Sequence, residues 1–151
     1  MRSVYNLVSG RLVHEHDRDG WRTRSTRVAS EIGATSIGGS VYDIPAGERT
    51  FPYHYHHGSE EWLVVLEGAP ELRTPSGTRT LAPGDVVCFP SGPDGAHAVT
   101  GPARVLILSN ADSTTVAVYP DSDKLGTRPR DDHDQLDFPR ASSVDYWDGE
   151  K

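Results

Sequence analysis

The chain has 151 residues, enough for one domain with a sizeable buried core. Its apolar content of 35%, with 15 glycines and 11 prolines, argues for many turns and against long helices. A formal charge of -7 and a pI near 5.4 argue against nucleic-acid binding, which needs a clustered basic face, and the lone Cys88 excludes an intramolecular disulfide.

Residues 1–30 are polar and charged, without a helical period. They predict an extended, solvated N-terminal arm ending in a strand over 23–29, with Arg18, Arg22, Arg24 and Arg27 gathered around Trp21. The arm holds no apolar segment of secretory length, and no stretch of the chain approaches a membrane span. The expectation is a soluble, cytoplasmic protein with no nucleic-acid or membrane partner.

From residue 31 to 119 the texture changes to short β-type runs punctuated by Gly and Pro turns. Strands are predicted at 36–44, 54–56, 61–66, 71–74, 78–81, 85–89, 96–100, 104–109 and 115–119. Many short, evenly spaced strands of this kind signal an all-β antiparallel sandwich or barrel. Cys88, inside the apolar run Val86-Val87-Cys88-Phe89, is expected as a buried, inert thiol.

Residues 120–151 are polar again, with nine Asp/Glu against five Lys/Arg, and read as an acidic C-terminal tail. The run Asp131-Asp132-His133-Asp134 fits a solvated tail better than a cation site. Val144-Asp145-Tyr146-Trp147-Asp148 carries two aromatic side chains and is expected to dock on the barrel or on a second subunit of a homodimer.

One stretch stands out chemically. His54-Tyr55-His56-His57-Gly58-Ser59-Glu60-Glu61 sets three imidazoles and two carboxylates within eight residues. Neutral nitrogen donors with an anionic oxygen suit a first-row divalent ion. On a strand, side chains alternate, so His54 and His56 share one face while Tyr55 and His57 take the other. A third and fourth ligand are offered by Glu61, at the start of the next apolar strand, and by His97, the one other His in the β-rich segment. Glu60 competes with Glu61 for the carboxylate role.

These residues closely resemble the cupin superfamily, whose first motif reads G-x5-H-x-H-x3,4-E-x6-G. Gly47, His54, His56, Glu61 and Gly68 follow it, with six residues instead of five between Gly47 and His54. The second motif, G-x5-P-x-G-x2-H-x3-N, is matched by Gly84, Pro90, Gly92 and His97, with four residues before the His. Gly101 stands where its closing Asn would fall. The spacing to Gly68 favours Glu61 over Glu60.

The resemblance implies a cupin jelly-roll barrel, a double-stranded β-helix, with a divalent transition metal (Fe, Mn, Zn or Ni) held in its mouth by His54, His56, Glu61 and His97. Leu63 and Val65 should face inward with Glu61, and Phe51, Tyr53 and Tyr55 should face away from the metal. The function it implies is a metalloenzyme acting on a small organic molecule by dioxygenase or isomerase/epimerase-like chemistry. The alternative is a non-catalytic cupin that binds a sugar or organic acid, and a third reading makes the chain chiefly an assembly element. Glu48, Arg49, Tyr42 and Trp62 are candidates to line the mouth, and Glu60, His57 and Tyr55 are candidates for a non-ligand acid or base.

Overall fold

Apolar residues alternating at period two, cut by Gly and Pro, fold into thirteen strands among the described residues, which are 3–110, 114–129 and 133–151 of this computed structural model. Asp131 and Asp132 of the acidic run lie outside the described residues. The first six strands are β1 (His14–His16), β2 (Thr23–Thr26), β3 (Ile37–Ile44), β4 (Tyr55–His57), β5 (Glu61–Gly68) and β6 (Glu71–Thr74). There follow β7 (Gly77–Thr80), β8 (Val86–Phe89), β9 (Ala98–Thr100) and β10 (Ala103–Asn110), then β11 (Thr115–Tyr119), β12 (Lys124–Arg128) and β13 (Asp137–Pro139). The one α-helical segment is the single turn α1 (Val28–Glu31), and no helix among the described residues is long and apolar enough to cross a membrane.

Among the described residues every pairing between these strands is antiparallel, in a six-stranded sheet ordered β1-β2-β3-β10-β5-β8, a four-stranded sheet β13-β12-β11-β4 and a three-stranded sheet β7-β6-β9. This is the all-β jelly-roll architecture expected from the turn pattern.

Strand alternation divides the large sheet into two faces. On the inner face Glu61, Leu63 and Val65 of β5 stand beside Ser109, Ile107 and Val105 of β10. Tyr42 of β3 pairs with Val105 in turn, Ser25 of β2 with Tyr42, and His14 of β1 with Ser25. Leu63, Val65 and Val105 are at most 1% exposed and join Ile44, Leu72, Leu81, Phe89 and Val99 in the main core. Each such burial is worth about 1.5–3 kcal/mol in apolar area removed from water. Leu63 and Val65 thus face inward with Glu61, as the alternation requires.

The outer face is covered by the chain's own beginning. Leu12 and Val28 pack on Val41 and Leu106, with Tyr5 and Leu7 alongside. The N-terminal residues are therefore not the free, solvated arm expected from their polarity. They add the β1–β2 hairpin to the sheet edge and cap its back, and the predicted strand over 23–29 stops at Thr26 so that α1 can turn Val28 into this second core.

Two further differences concern edges and ends. Cys88 is exposed, not buried, because β8 is an edge strand: Val87 and Phe89 point inward, Val86 and Cys88 outward. The acidic segment after residue 119 is partly strand, since β12 and β13 extend the β11 sheet. Val144, Tyr146 and Trp147 are 68%, 83% and 71% exposed, so this segment does not dock on its own barrel.

Candidate metal centre

His54 and His97 are placed by each other. Their backbones form an isolated antiparallel bridge, the His54 N–H donating to the His97 carbonyl at 3.1 Å and the His97 N–H to the His54 carbonyl at 2.9 Å. The turn that carries His56 into β5 is pinned at several points. The Ser59 hydroxyl and the Glu60 N–H donate to Asn110 Oδ1 at 3.0 and 2.9 Å, and the Gly92 N–H donates to the His56 carbonyl at 2.8 Å. Glycine is required twice nearby. A Cβ on Gly95 would run into the Pro90 carbonyl oxygen, and one on Gly101 into the carbonyl oxygens of Ile44 and Pro45. No Asn fits at Gly101, which explains the departure from the second motif.

The four side chains converge. Nε2 of His54, His56 and His97 lie 3.7, 3.5 and 3.6 Å from Glu61 Oε2. The donor atoms of His54, His56 and Glu61 all lie within 4.8 Å of one another, the one such group among the described residues.

The tautomers follow from the hydrogen bonds. His54 Nδ1 sits 2.9 Å from the Pro52 carbonyl and His97 Nδ1 2.9 Å from the Gly95 carbonyl. A carbonyl only accepts, so each Nδ1 carries the proton and each Nε2 presents a lone pair to the centre. The His56 Nδ1 lies 3.5 Å from Thr115 Oγ1 on the far side of its ring.

Burial sets the charges. It pushes the imidazoles of His54, His56 and His97 down, His56 to about 4 and His97 to about 3, with neighbouring imidazoles adding to the effect at the latter two. Burial likewise raises the Glu61 carboxyl to about 7. The imidazoles are thus neutral near pH 7, and their share of fold stability is lost as pH falls from 6.5 toward 4 and 3. Glu61 acts in the opposite sense, since its ionisation costs the fold stability as pH rises from 4.5 toward 7.

Four acceptor atoms facing one another repel unless something positive lies between them. One proton on Glu61 satisfies a single imidazole; a divalent ion satisfies all four groups. Adjacent ligands on one ion at about 2.1 Å stand roughly 3.0–3.4 Å apart, within a few tenths of an ångström of the three imidazole-to-carboxylate separations, although the His97 donor lies outside the 4.8 Å group formed by His54, His56 and Glu61. The His54, His56 and Glu61 donors thus form a group that could hold a first-row divalent ion.

Aromatic rings frame the centre. Phe89 stacks on the His97 ring with centroids 3.7 Å apart and planes 8° from parallel, and Tyr119 stacks on His54 at 5.8 Å. Neither was singled out from the sequence, although Phe89 stands directly opposite Glu61 across β5 and β8. Phe51 meets the edge of His54 at 5.9 Å and of Tyr42 at 5.5 Å, so it does not face away from the centre as the alternation suggested. Tyr55 does face away, in a separate small core with Ala96 and Val118, and Tyr53 stacks under Arg73.

The remaining candidates separate cleanly. Glu60 turns outward and accepts a hydrogen bond from Trp62 Nε1 at 2.8 Å, and Trp62 itself is 45% exposed. His57 is exposed. Glu48 pairs with Arg22 at 3.0 Å, and Arg49 lies over the Trp21 ring at 4.2 Å. Tyr42 is half-buried on the inner face. Its phenol is raised first by burial, a hydrogen bond with Ser40 opposes this, the Glu61 carboxylate adds to it, and the Arg27 guanidinium draws it back.

The antiparallel jelly-roll thus brings three imidazoles and a carboxylate together from two stretches of chain, 54–61 and 97. In the comparison with known families, residues 40–109 match the family described as Cupin domain. Among solved structures, a cupin sugar phosphate isomerase from Silicibacter pomeroyi is 24% identical with a TM-score of 0.78, the match covering 93% of this chain and 94% of that one. A candidate sugar phosphate isomerase from Acidithiobacillus ferrooxidans is also 24% identical, with a TM-score of 0.74 over 83% of this chain and 81% of that one. A polyketide cyclase from Streptomyces resistomycificus is 23% identical, with a TM-score of 0.57 over 73% and 80% of the two chains. At these identities the likeness is one of fold. No curated protein sequence matches the chain.

Proposed function

We propose that this chain is a metal-dependent cupin enzyme that rearranges or cleaves a small oxygen-bearing molecule, with His54, His56, Glu61 and His97 as the metal's ligands. The observation that carries the reading is the convergence of four acceptor atoms, two of them on buried imidazoles locked with Nε2 toward the centre. When bound, the ion (Fe, Mn, Zn or Ni) supplies Lewis acidity toward a carbonyl, enediol or carboxylate group. Likeness in fold to the two sugar phosphate isomerases supports isomerase-type chemistry over the dioxygenase chemistry also implied by the sequence.

The chain's own groups divide the remaining work. His54, His97 and their carbonyl partners fix where the substrate's reacting oxygen sits, and Phe51 and Phe89 exclude water from that side. His57, Glu60 and Tyr55 all turn away, so Tyr42 is the group in place to hold a proton against a substrate oxygen. A homodimer remains part of this reading, because Tyr146 and Trp147 lack cover within their own chain.

The test is turnover of small hydroxycarbonyl compounds before and after chelation. Activity should vanish with the metal and return when an ion is restored, and Tyr42→Phe should retain metal while losing about 10–100-fold in turnover, the worth of one hydrogen bond to a charged group. Activity that survives chelation would place the chemistry elsewhere. Reversible ligand binding with no turnover would instead make the chain a sugar- or organic-acid-binding cupin.

Metal binding should itself depend on pH in a defined way. Below about 7 the Glu61 carboxyl must give up one proton to bind an ion, while the imidazoles are already neutral. Affinity should therefore fall by about tenfold per pH unit between pH 7 and 5, with one proton released per ion and none above pH 8. Calorimetry in buffers of different ionisation enthalpy reads that proton count, and release of two or more at pH 6 would refute this ordering of the titrations.

A further inference from the structure

The inner face of the large sheet does not end at the four-residue centre. The row Val65-Val105-Tyr42-Ser25-His14 crosses the sheet on the face that Glu61 shares with Val65, with His16 opposite Thr23 in the adjacent row. Over these outer strands lies a cleft of about 880 Å³, in the range of small-molecule sites. Tyr42 and Phe51 form part of its wall, and Phe51 also touches His54, so one pair of rings borders both the cleft and the centre.

The cleft's charge runs against that of the chain. Arg18, Arg27, Arg49, Lys124, His14 and His16 line it, against the single carboxylate of Asp121. Both Asp121 oxygens are already engaged by Arg73, at 2.6 and 3.0 Å. Among the described residues none of the four cleft cations is in an ion pair, whereas neighbouring Arg22 is matched by Asp17, Asp19 and Glu48. The chain as a whole has a net charge of -7, yet the cleft lining holds one carboxylate against four cations and two imidazoles. Two of the cations are also held in place: Arg49 over Trp21 at 4.2 Å and Lys124 over Tyr119 at 4.8 Å, with their N–H groups free to donate.

We propose that this cleft binds the phosphate monoester end of a small phosphorylated substrate, with Arg18, Arg27, His14, His16, Arg49 and Lys124 as its cationic lining. The assignment rests on the reading of His54, His56, Glu61 and His97 as the metal site for the substrate's other end. Several cations lining one hollow suit a dianion with three acceptor oxygens better than a single carboxylate. The cleft residues hold the phosphate; they take no part in bond making.

The test is calorimetric titration of the purified protein, metal-loaded and again after chelation, with glycerol 3-phosphate, inorganic phosphate and glycerol. Glycerol 3-phosphate should bind and glycerol should not. Arg27→Gln and Lys124→Gln should each weaken binding by about 10-fold or more, the loss of one charge-assisted hydrogen bond. Arg24→Gln is the control, because Arg24 alternates to the opposite face of β2 between Thr23 and Ser25, which line the cleft. It should leave binding unchanged, and all three variants should keep the wild-type metal content. Equal weakening by Arg24→Gln, or no binding of the phosphate ester by the metal-loaded protein, would overturn the proposal while leaving the metal reading intact. Phosphate-ester binding in a protein that takes up no metal would support the cleft and remove the metal reading.

Discussion

His97→Ala should lower affinity for a divalent ion by about 10²–10³-fold, taking the binding free energy of a structural metal site as shared among four ligands. The imidazole is 3% exposed, its Nδ1 proton is fixed on the Gly95 carbonyl, and its Nε2 has only the centre to face. His57→Ala is the matched control, since it removes an exposed imidazole that alternates to the other face and should change the affinity by less than about twofold. Competition against a chelator, with elemental analysis of both variants, gives the comparison. Equal metal content in His97→Ala and wild type would remove His97 from the ligand set.

The second large effect is on stability. Phe89 is 4% exposed and lies flat on the His97 ring. Truncation to alanine should cost about 3–5 kcal/mol, the lost transfer energy plus the cavity left in the main core. The ring also blocks His97 from tilting, so the alanine variant should bind metal more weakly even where it remains folded. Phe89→Leu keeps most of the volume and should cost less than about 1.5 kcal/mol. Denaturant unfolding of the metal-free proteins measures both. A cost below 1 kcal/mol for the alanine variant would show that the ring is not packed as described, on the same scale of core truncations.

The strands from β3 to β11 were legible because their apolar residues alternate and their turns carry Gly and Pro, so local signal and buried face agree. The grouping of His54, His56, Glu61 and His97 was legible for a related reason: motif spacing records which strands must meet. What escaped the sequence lacks an apolar signature. β1 is His14-Glu15-His16, exposed throughout, and exists because its backbone pairs with β2 at a sheet edge. β12, Lys-Leu-Gly-Thr-Arg, is held by pairing on both sides rather than by a hydrophobic face. Cys88 misleads in the other direction, since four consecutive apolar residues imply burial on both faces, yet an edge strand buries only alternate ones. The stacking of Phe89 on His97 depends on cross-strand register, which no local pattern encodes.

The N-terminal hairpin gives the molecule a division of labour along its length. The four converging side chains come from residues 54–97, inside the stretch shared with the cupin family at 40–109. Most of the charged walls of the cleft come from residues 14–27 and 121–124, outside that stretch. Strands β1, β2 and β12 in those flanks are held by backbone pairing, which tolerates almost any side chain on the free face. Selection can therefore redesign what the hollow accepts without disturbing the centre, and relatives with the same four residues can part company over substrate at their chain ends.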